Sequence, residues 1–259
     1  MIKMKNMIKM KNMIKIKGNG PILITGPHSV YTIRNNIEIH DREQHINNII
    51  NKLYRLLGPK RCTVMMWNKD FFEKNRIYPE DPNHIKDLKK SIWNKEMKRL
   101  KIKDPVLHID LHGMTDNWFD HSNHLCIGTD GIKENYKCLY KQLLPKLTRI
   151  FDTLNVPYSF NKPFNGYSHN IDFYTLSHQG ILNNFISFQF EISNSLRKKI
   201  AKEATTLNKF KNILIDLYSL NREILKTKKY KTCKKQQKTR KYKNSKISKK
   251  NKTYKKKTL

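Results

Sequence analysis

The 259-residue sequence has no apolar run near the roughly 18 residues that a membrane helix needs. Lys interrupts the N-terminus every two to four residues, so no unbroken apolar segment of roughly 7–15 residues, as in a signal peptide, is present. Cysteine is scarce: Cys62, Cys126, Cys138 and Cys233 are irregularly spaced, make no CxxC pair and suggest no disulfide framework. That usage favours a reducing, intracellular setting, cytoplasmic or, through the basic C-terminal stretch, nuclear. Acid is also in short supply, with 21 Asp+Glu against 53 Lys+Arg and a formal charge of +32.

The excess charge is local. Residues 1–18 carry six Lys and no acid, and 226–259 carry seventeen Lys+Arg and no acid. The intervening 19–225 hold 30 basic and 21 acidic residues together with most of the apolar ones, enough for one folded body. Residues 1–18 read MIKMKN, MIKMKN, MIKIKG. Six is not a helical period, so the apolar positions smear around a helix, and a disordered low-complexity leader is expected. The Lys-rich 226–259 repels itself and is expected to be a disordered tail. Such tails bind nucleic acid or another polyanion non-specifically, by releasing counterions.

In the body, Pro21-Ile22-Leu23-Ile24-Thr25 reads as a buried strand closed by Gly26-Pro27. Residues 44–57 place Ile46, Ile49, Ile50, Leu53, Tyr54 and Leu57 on one helical face, stopped by Gly58-Pro59. Cys62 to Trp67 is a second strand, 84–100 a helix, and Val106 to Gly113 an alternating strand. A long helix over 132–154, a strand over Phe185 to Ile192 and helix over 194–225 follow. This order predicts a three-layer α/β fold, a mostly parallel or mixed sheet with helices on both faces.

Ligands bind such sheets at the carboxyl ends of the strands. His28 follows the first strand, His112 ends the His-Ile-Asp-Leu-His-Gly strand, and Glu191 lies near the end of Phe-Ile-Ser-Phe-Gln-Phe-Glu-Ile. Asp41 and Glu43 precede the 44–57 helix. Two imidazoles and a carboxylate form a catalytic zinc set that leaves room for water. A further carboxylate can then move a proton from water to a leaving nitrogen. Asp110 projects to the side of His112 and suits an acceptor behind it. His40 and Glu43 form a competing HxxE pair.

Five motifs occur in one order: Gly-Pro-His-Ser at 26–29, Asp-Leu-His-Gly at 110–113, Ile-Gly-Thr-Asp-Gly at 127–131, Asn-Lys-Pro-Phe-Asn-Gly-Tyr at 161–167 and Phe-Gln-Phe-Glu-Ile at 188–192. Together, over about residues 20–195, they resemble the N-formylglutamate amidohydrolase family, relatives of the zinc carboxypeptidases. The resemblance implies a zinc carboxypeptidase-like fold and one Zn2+ ion held by His28, Glu43 and His112, with Asp41 as the alternative carboxylate. It implies Glu191 as the catalytic general base and acid, and Asn75-Arg76 as the pair that grips a substrate carboxylate. Arg suits that task because its planar fork makes two parallel hydrogen bonds. The implied substrate is a small N-acylated amino acid or a peptide, cut at an amide beside a carboxylate. Two rivals stand beside that reading: an inactive hydrolase-like scaffold whose basic tails bind polyanions, and a peptidase acting on cross-links.

Overall fold

A computed structural model describes residues 13–233 except 36, 101, 103–105, 121, 169–172 and 229. A mixed seven-stranded sheet runs through it, built from β1 (Ile14–Lys17), β2 (Ile22–Gly26), β5 (Cys62–Trp67), β6 (Leu107–Met114), β7 (Leu125–Gly128), β8 (Tyr158–Phe160) and β9 (Ile186–Ser193). Their order is β1-β5-β2-β6-β9-β7-β8. The pairs β5·β2, β2·β6, β6·β9 and β7·β8 are parallel, while β1·β5 and β7·β9 are antiparallel. A separate two-stranded ribbon joins β3 (Thr32–Arg34) to β4 (Glu38–His40). The fold is thus an α/β sheet of mixed direction.

Side-chain alternation divides the interior. Ile22, Ile24, Val64 and Met66 face one layer with α1 (Ile46–Leu57), α5 (Lys137–Asp152), α7 (Asn194–Lys202) and α8 (Ala204–Lys226). Leu23, Met65 and Trp67 face the other, with Phe72 of α2 (Lys69–Asn75), Trp93 and Met97 of α3 (Ile92–Arg99) and Leu176 of α6 (Leu176–Leu182). On β6 and β9 the second face is polar. Leu107, Ile109, Leu111, Phe188 and Phe190 belong to the first core, which leaves His108, Asp110, His112, Gln189 and Glu191 on the opposite side.

The expected elements shift where loops take over. Only Ile92–Arg99 of 84–100 is helical, because 79–85 is drawn into hydrogen bonds around the site. The 132–154 stretch is two helices, α4 (Asp130–Asn135) and α5, broken at Tyr136, whose ψ of 48° is not helical. The 194–225 stretch breaks at Glu203, where ψ is 117°.

The folded body also exceeds both boundaries that composition suggests. Residues 14–17, expected in the leader, form edge strand β1 against β5, with Ile14 buried. The third repeat ends in Gly18, where the first two have Asn. Gly18 has φ +83°, and a Cβ there would lie 2.1 Å from the Cys62 carbonyl oxygen, so only glycine fits. At the other end Tyr230 is buried in the main core, and Cys233 forms a disulfide with Cys138 across 95 residues, Cα to Cα 5.8 Å. This corrects the expectation of no disulfide. The pairing comes from the C-terminal segment folding back on α5, which cysteine spacing does not reveal. The disorder expected for 1–12 and 234–259 concerns stretches outside the described residues.

Ending the chain at Leu225 should therefore cost about 2–4 kcal/mol through the lost cross-link. Ending it after Cys233 should leave the urea or thermal midpoint unchanged. Equal midpoints for the two truncations would show that 226–233 does not hold the body.

Candidate metal centre

The polar face of β6 and β9 meets the loop after β2 and the segment before α1. His28, just beyond the Gly26-Pro27 turn, and His112, on β6, are both almost fully buried. His28 Nε2 lies 2.9 Å from Asp81 Oδ1, and His112 Nε2 lies 3.0 Å from Asp110 Oδ2. Each carboxylate accepts from Nε2; without metal His28 Nδ1 also donates to Glu43, and each ring, once it gives up its second proton, would present its lone pair at Nδ1. The two Nδ1 atoms are 3.2 Å apart. Glu43 Oε1 stands 2.7 Å from the first and 3.6 Å from the second.

His40, on β4, brings Nε2 to 3.2 Å from His28 Nδ1 and 3.7 Å from Glu43 Oε1. Among the described residues His28, His40 and Glu43 are a group able to hold a metal ion. Asp41, the alternative carboxylate, is exposed and outside that group.

The donors suit zinc. A tetrahedral ion with bonds of about 2.0–2.2 Å holds its donors about 3.3–3.6 Å apart. Four of the five separations above lie within a few tenths of that range. Only the 2.7 Å His28–Glu43 contact is shorter, as a direct hydrogen bond is. Glu43 Oε2 is also buried and has no hydrogen-bond partner among the described residues. An orphaned carboxylate oxygen is costly unless a cation or water meets it.

Burial opposes charge on His28, but Glu43 and Asp81 on either side outweigh it and raise its pKa to about 9. Burial also opposes the His112 imidazolium, yet Asp110 and Glu191 hold its pKa well above the ordinary value. Glu43 would be pushed up by burial, but the His28 charge and hydrogen bonds from three histidines hold it far down.

Behind the donors runs a buried polar chain. Asp110 Oδ1 accepts from Thr25 Oγ1 at 2.7 Å, and that oxygen meets His108 Nε2 at 2.9 Å. His108 Nδ1 meets Ser187 Oγ at 2.8 Å. Burial pushes His108 down to about 4, so it serves as a neutral link that fixes Asp110. Asp81 is held by Arg34 Nε at 2.6 Å and by the Asn83 backbone N–H at 2.9 Å. His40 enters as the partner of Glu43 in the HxxE pair, while Asp81 and Asn83 escaped the sequence reading. The Glu-Asp-Pro-Asn-His run at 80–84 was the available signal, since such residues cluster in loops whose polar groups need partners.

Glu191 is the cross-strand partner of His112 and accepts from Gln189 Nε2 at 2.5 Å. Burial raises its pKa, the His112 charge opposes this, and the Glu43 charge adds to the rise. The strand ends are clamped by Arg197, which donates to the backbone oxygens of Met114, Ile192 and Gln44. Gly113 makes room for it, because a Cβ there would sit 2.2 Å from the guanidinium.

A cavity of about 460 Å³ is lined by Glu43, Arg42 and Lys69, and a second of about 400 Å³ shares Arg42 and Lys69 with it but not Glu43. Arg76 lines the smaller, with Tyr31 and Tyr78. Asn75 is not brought together with it, since its amide donates to Phe71 O within its own helix.

Comparison with known proteins finds no matching family model and no matching curated protein. Several solved structures are similar. The structure of a bacteriophage poly-gamma-glutamate hydrolase shares 13% identity, with 80% of this chain and 87% of that chain covered and a TM-score of 0.45. The N-formylglutamate amidohydrolase from Ralstonia eutropha JMP134 shares 11%, covering 82% and 98%, with a TM-score of 0.41. A metallo-carboxypeptidase from Pseudomonas aeruginosa shares 12%, covering 77% and 58%, with a TM-score of 0.39. At 11–13% identity the chemistry of the centre rests on its own side chains. No described helix is long and apolar enough to cross a membrane.

A divalent ion entering this cluster has to displace protons from His28 and His112, whose metal-free pKa values are raised. Zinc affinity should therefore climb about tenfold per pH unit for each proton released, up to about pH 9. Calorimetry in buffers of different ionisation heat measures the protons released. A pH-independent affinity would show that these imidazoles are not the ligands.

Proposed function

We propose that the protein is a zinc-dependent amidohydrolase that cuts an N-acyl (N-formyl-like) amide or a peptide bond next to a carboxylate. The observation that carries this reading is the pair of imidazoles, each pinned by a buried carboxylate at Nε2 and each presenting Nδ1 beside Glu43. His28, Glu43 and His112 would hold one Zn2+, which when bound acidifies a water and polarises a carbonyl.

Around that ion the chain's own groups divide the work. Asp81 and Asp110 fix the ring tautomers. Glu191, its carboxyl raised by burial, takes the proton of the attacking water on a carboxylate oxygen and then gives it to the departing nitrogen. The Gln189 amide holds Glu191 in place by donating to Oε1. Arg76, with Arg42 and Lys69 on the wall it shares, would bind the substrate carboxylate, Arg76 through its fork. The aromatic faces of Tyr31 and Tyr78 beside them suit the non-polar part of an acyl group or side chain.

Two variants separate binding from chemistry. Glu191→Gln should keep one zinc per chain and lose about 10²–10⁴ in kcat on N-formyl or other N-acyl amino acids. His112→Ala should lose zinc and hydrolysis together. Metal analysis beside a hydrolysis screen reads both, and stoichiometric zinc retained by His112→Ala would refute the site.

A further inference from the structure

The cavity of about 400 Å³ is chemically two-sided. Val30 and Phe72 line it and are buried, while Tyr31, Ile77 and Tyr78 line it and are 46%, 39% and 52% exposed. The Tyr31 and Tyr78 rings meet edge to face, 6.2 Å between centroids. Exposed apolar groups gathered on one wall mark a binding site, unlike single ones scattered over a surface. The charged groups beside them are Arg42, Lys69, Glu73 and Arg76. Lys69 and Glu73 lie one helical turn apart on α2 and pair at 3.3 Å, so their charges largely cancel. Among the described residues the arginines in ion pairs are Arg34 and Arg99, which leaves Arg42 and Arg76 open to an anion.

The chain itself ties this cavity to the metal centre. Val30 is two residues after His28, and Arg42 directly precedes Glu43. Consecutive Cα atoms are only about 3.8 Å apart, so these wall residues stay close to the ligands. Arg42 and Lys69 also line the cavity that contains Glu43. Resting on the hydrolase reading above, we infer that the 400 Å³ cavity takes a large apolar side chain, aromatic above all, so that the substrates are N-acylated aromatic amino acids or peptides ending in one. The open guanidiniums hold the carboxylate of that residue, and the buried floor and the tyrosine rings cover its side chain. Another ring suits that wall best, because aromatic pairs gain from edge-to-face and offset stacking. A glutamyl side chain fits poorly, since its second carboxylate would lose water against Val30 and Phe72 and meet the like charge of Glu73.

Full-length protein in zinc-containing buffer tests this with N-formyl-L-phenylalanine and N-formyl-L-glutamate. Wild type should favour the first in kcat/KM by at least about tenfold. Tyr31→Ala and Tyr78→Ala should each cut that preference by about 2–10-fold, the value of one aromatic contact. Tyr78→Arg, at a half-exposed position that can change without unfolding the body, should move the preference toward glutamate. An equal or reversed wild-type preference, or one that none of the three variants alters, would overturn the inference. Calorimetry on Glu191→Gln in the same buffer, where chemistry is blocked, separates it from the hydrolase reading. Tighter binding of the phenylalanine compound there upholds the cavity's role even if wild type cuts neither compound, a result that would refute the hydrolase reading alone. Equal binding of the two compounds, or binding of neither, would overturn the inference.

Discussion

Buried imidazoles fix little chemistry unless their protons are placed, and the rest of this site depends on two hydrogen bonds that place them. Asp81 and Asp110 hold the Nε2 atoms of His28 and His112. With Nε2 committed on each ring, it is the two Nδ1 atoms that converge beside Glu43. Each carboxylate is secured in turn, Asp81 by Arg34 and the Asn83 backbone, Asp110 by Thr25 and, through it, His108. Most of these groups are almost wholly inaccessible to water. Removing one member of such a set leaves an uncompensated buried charge or dipole, which costs more than the pair itself contributes.

The sheet gives this network its rigidity. Parallel pairing of β6 with β9 sets His112 opposite Glu191 and Asp110 opposite Gln189. Strand alternation sends all four to the same face while their neighbours fill an apolar core. One face of two central strands is thus given over to polar chemistry, and the other carries much of the packing. Arg197 ties the ends of both strands to the backbone before α1, so the loop bearing Glu43 and the strands bearing His112 and Glu191 share one clamp.

The peripheral parts of the centre are built differently. His28 and His112 descend from the sheet, whereas His40 arrives on a ribbon that pairs with no strand of the main sheet among the described residues. Arg34, on the same ribbon, grips Asp81, so the ribbon is anchored at one end to the carboxylate that orients His28. Cations gather on the neighbouring wall, where Arg42, Lys69 and Arg76 meet Tyr31 and Tyr78. That wall opposes the charge of a carboxylate and offers ring faces to what lies beside it.

Much of this was legible in the chain because short-range rules govern it. Alternation in Leu-His-Ile-Asp-Leu-His and Ile-Ser-Phe-Gln-Phe-Glu reveals strands with one polar face, and the i, i+3, i+4 spacing of Ile46 to Leu57 reveals α1. His28, His112 and Glu191 were nameable as candidates from residue type and strand-end place, Glu43 through the resemblance and its place before α1, and His40 through its HxxE spacing from Glu43. Asp81, Asn83 and the Cys138–Cys233 bond were not, since each depends on where a loop or terminal segment returns in space. The same holds for β1, whose short Ile-Lys alternation gave no sign that residues 14–17 pair with β5. Local sequence determined the elements, their buried faces and the stock of reactive groups. The tertiary structure alone decided which of those groups meet, because distances between atoms far apart in the chain follow from strand order and register, which no local spacing encodes.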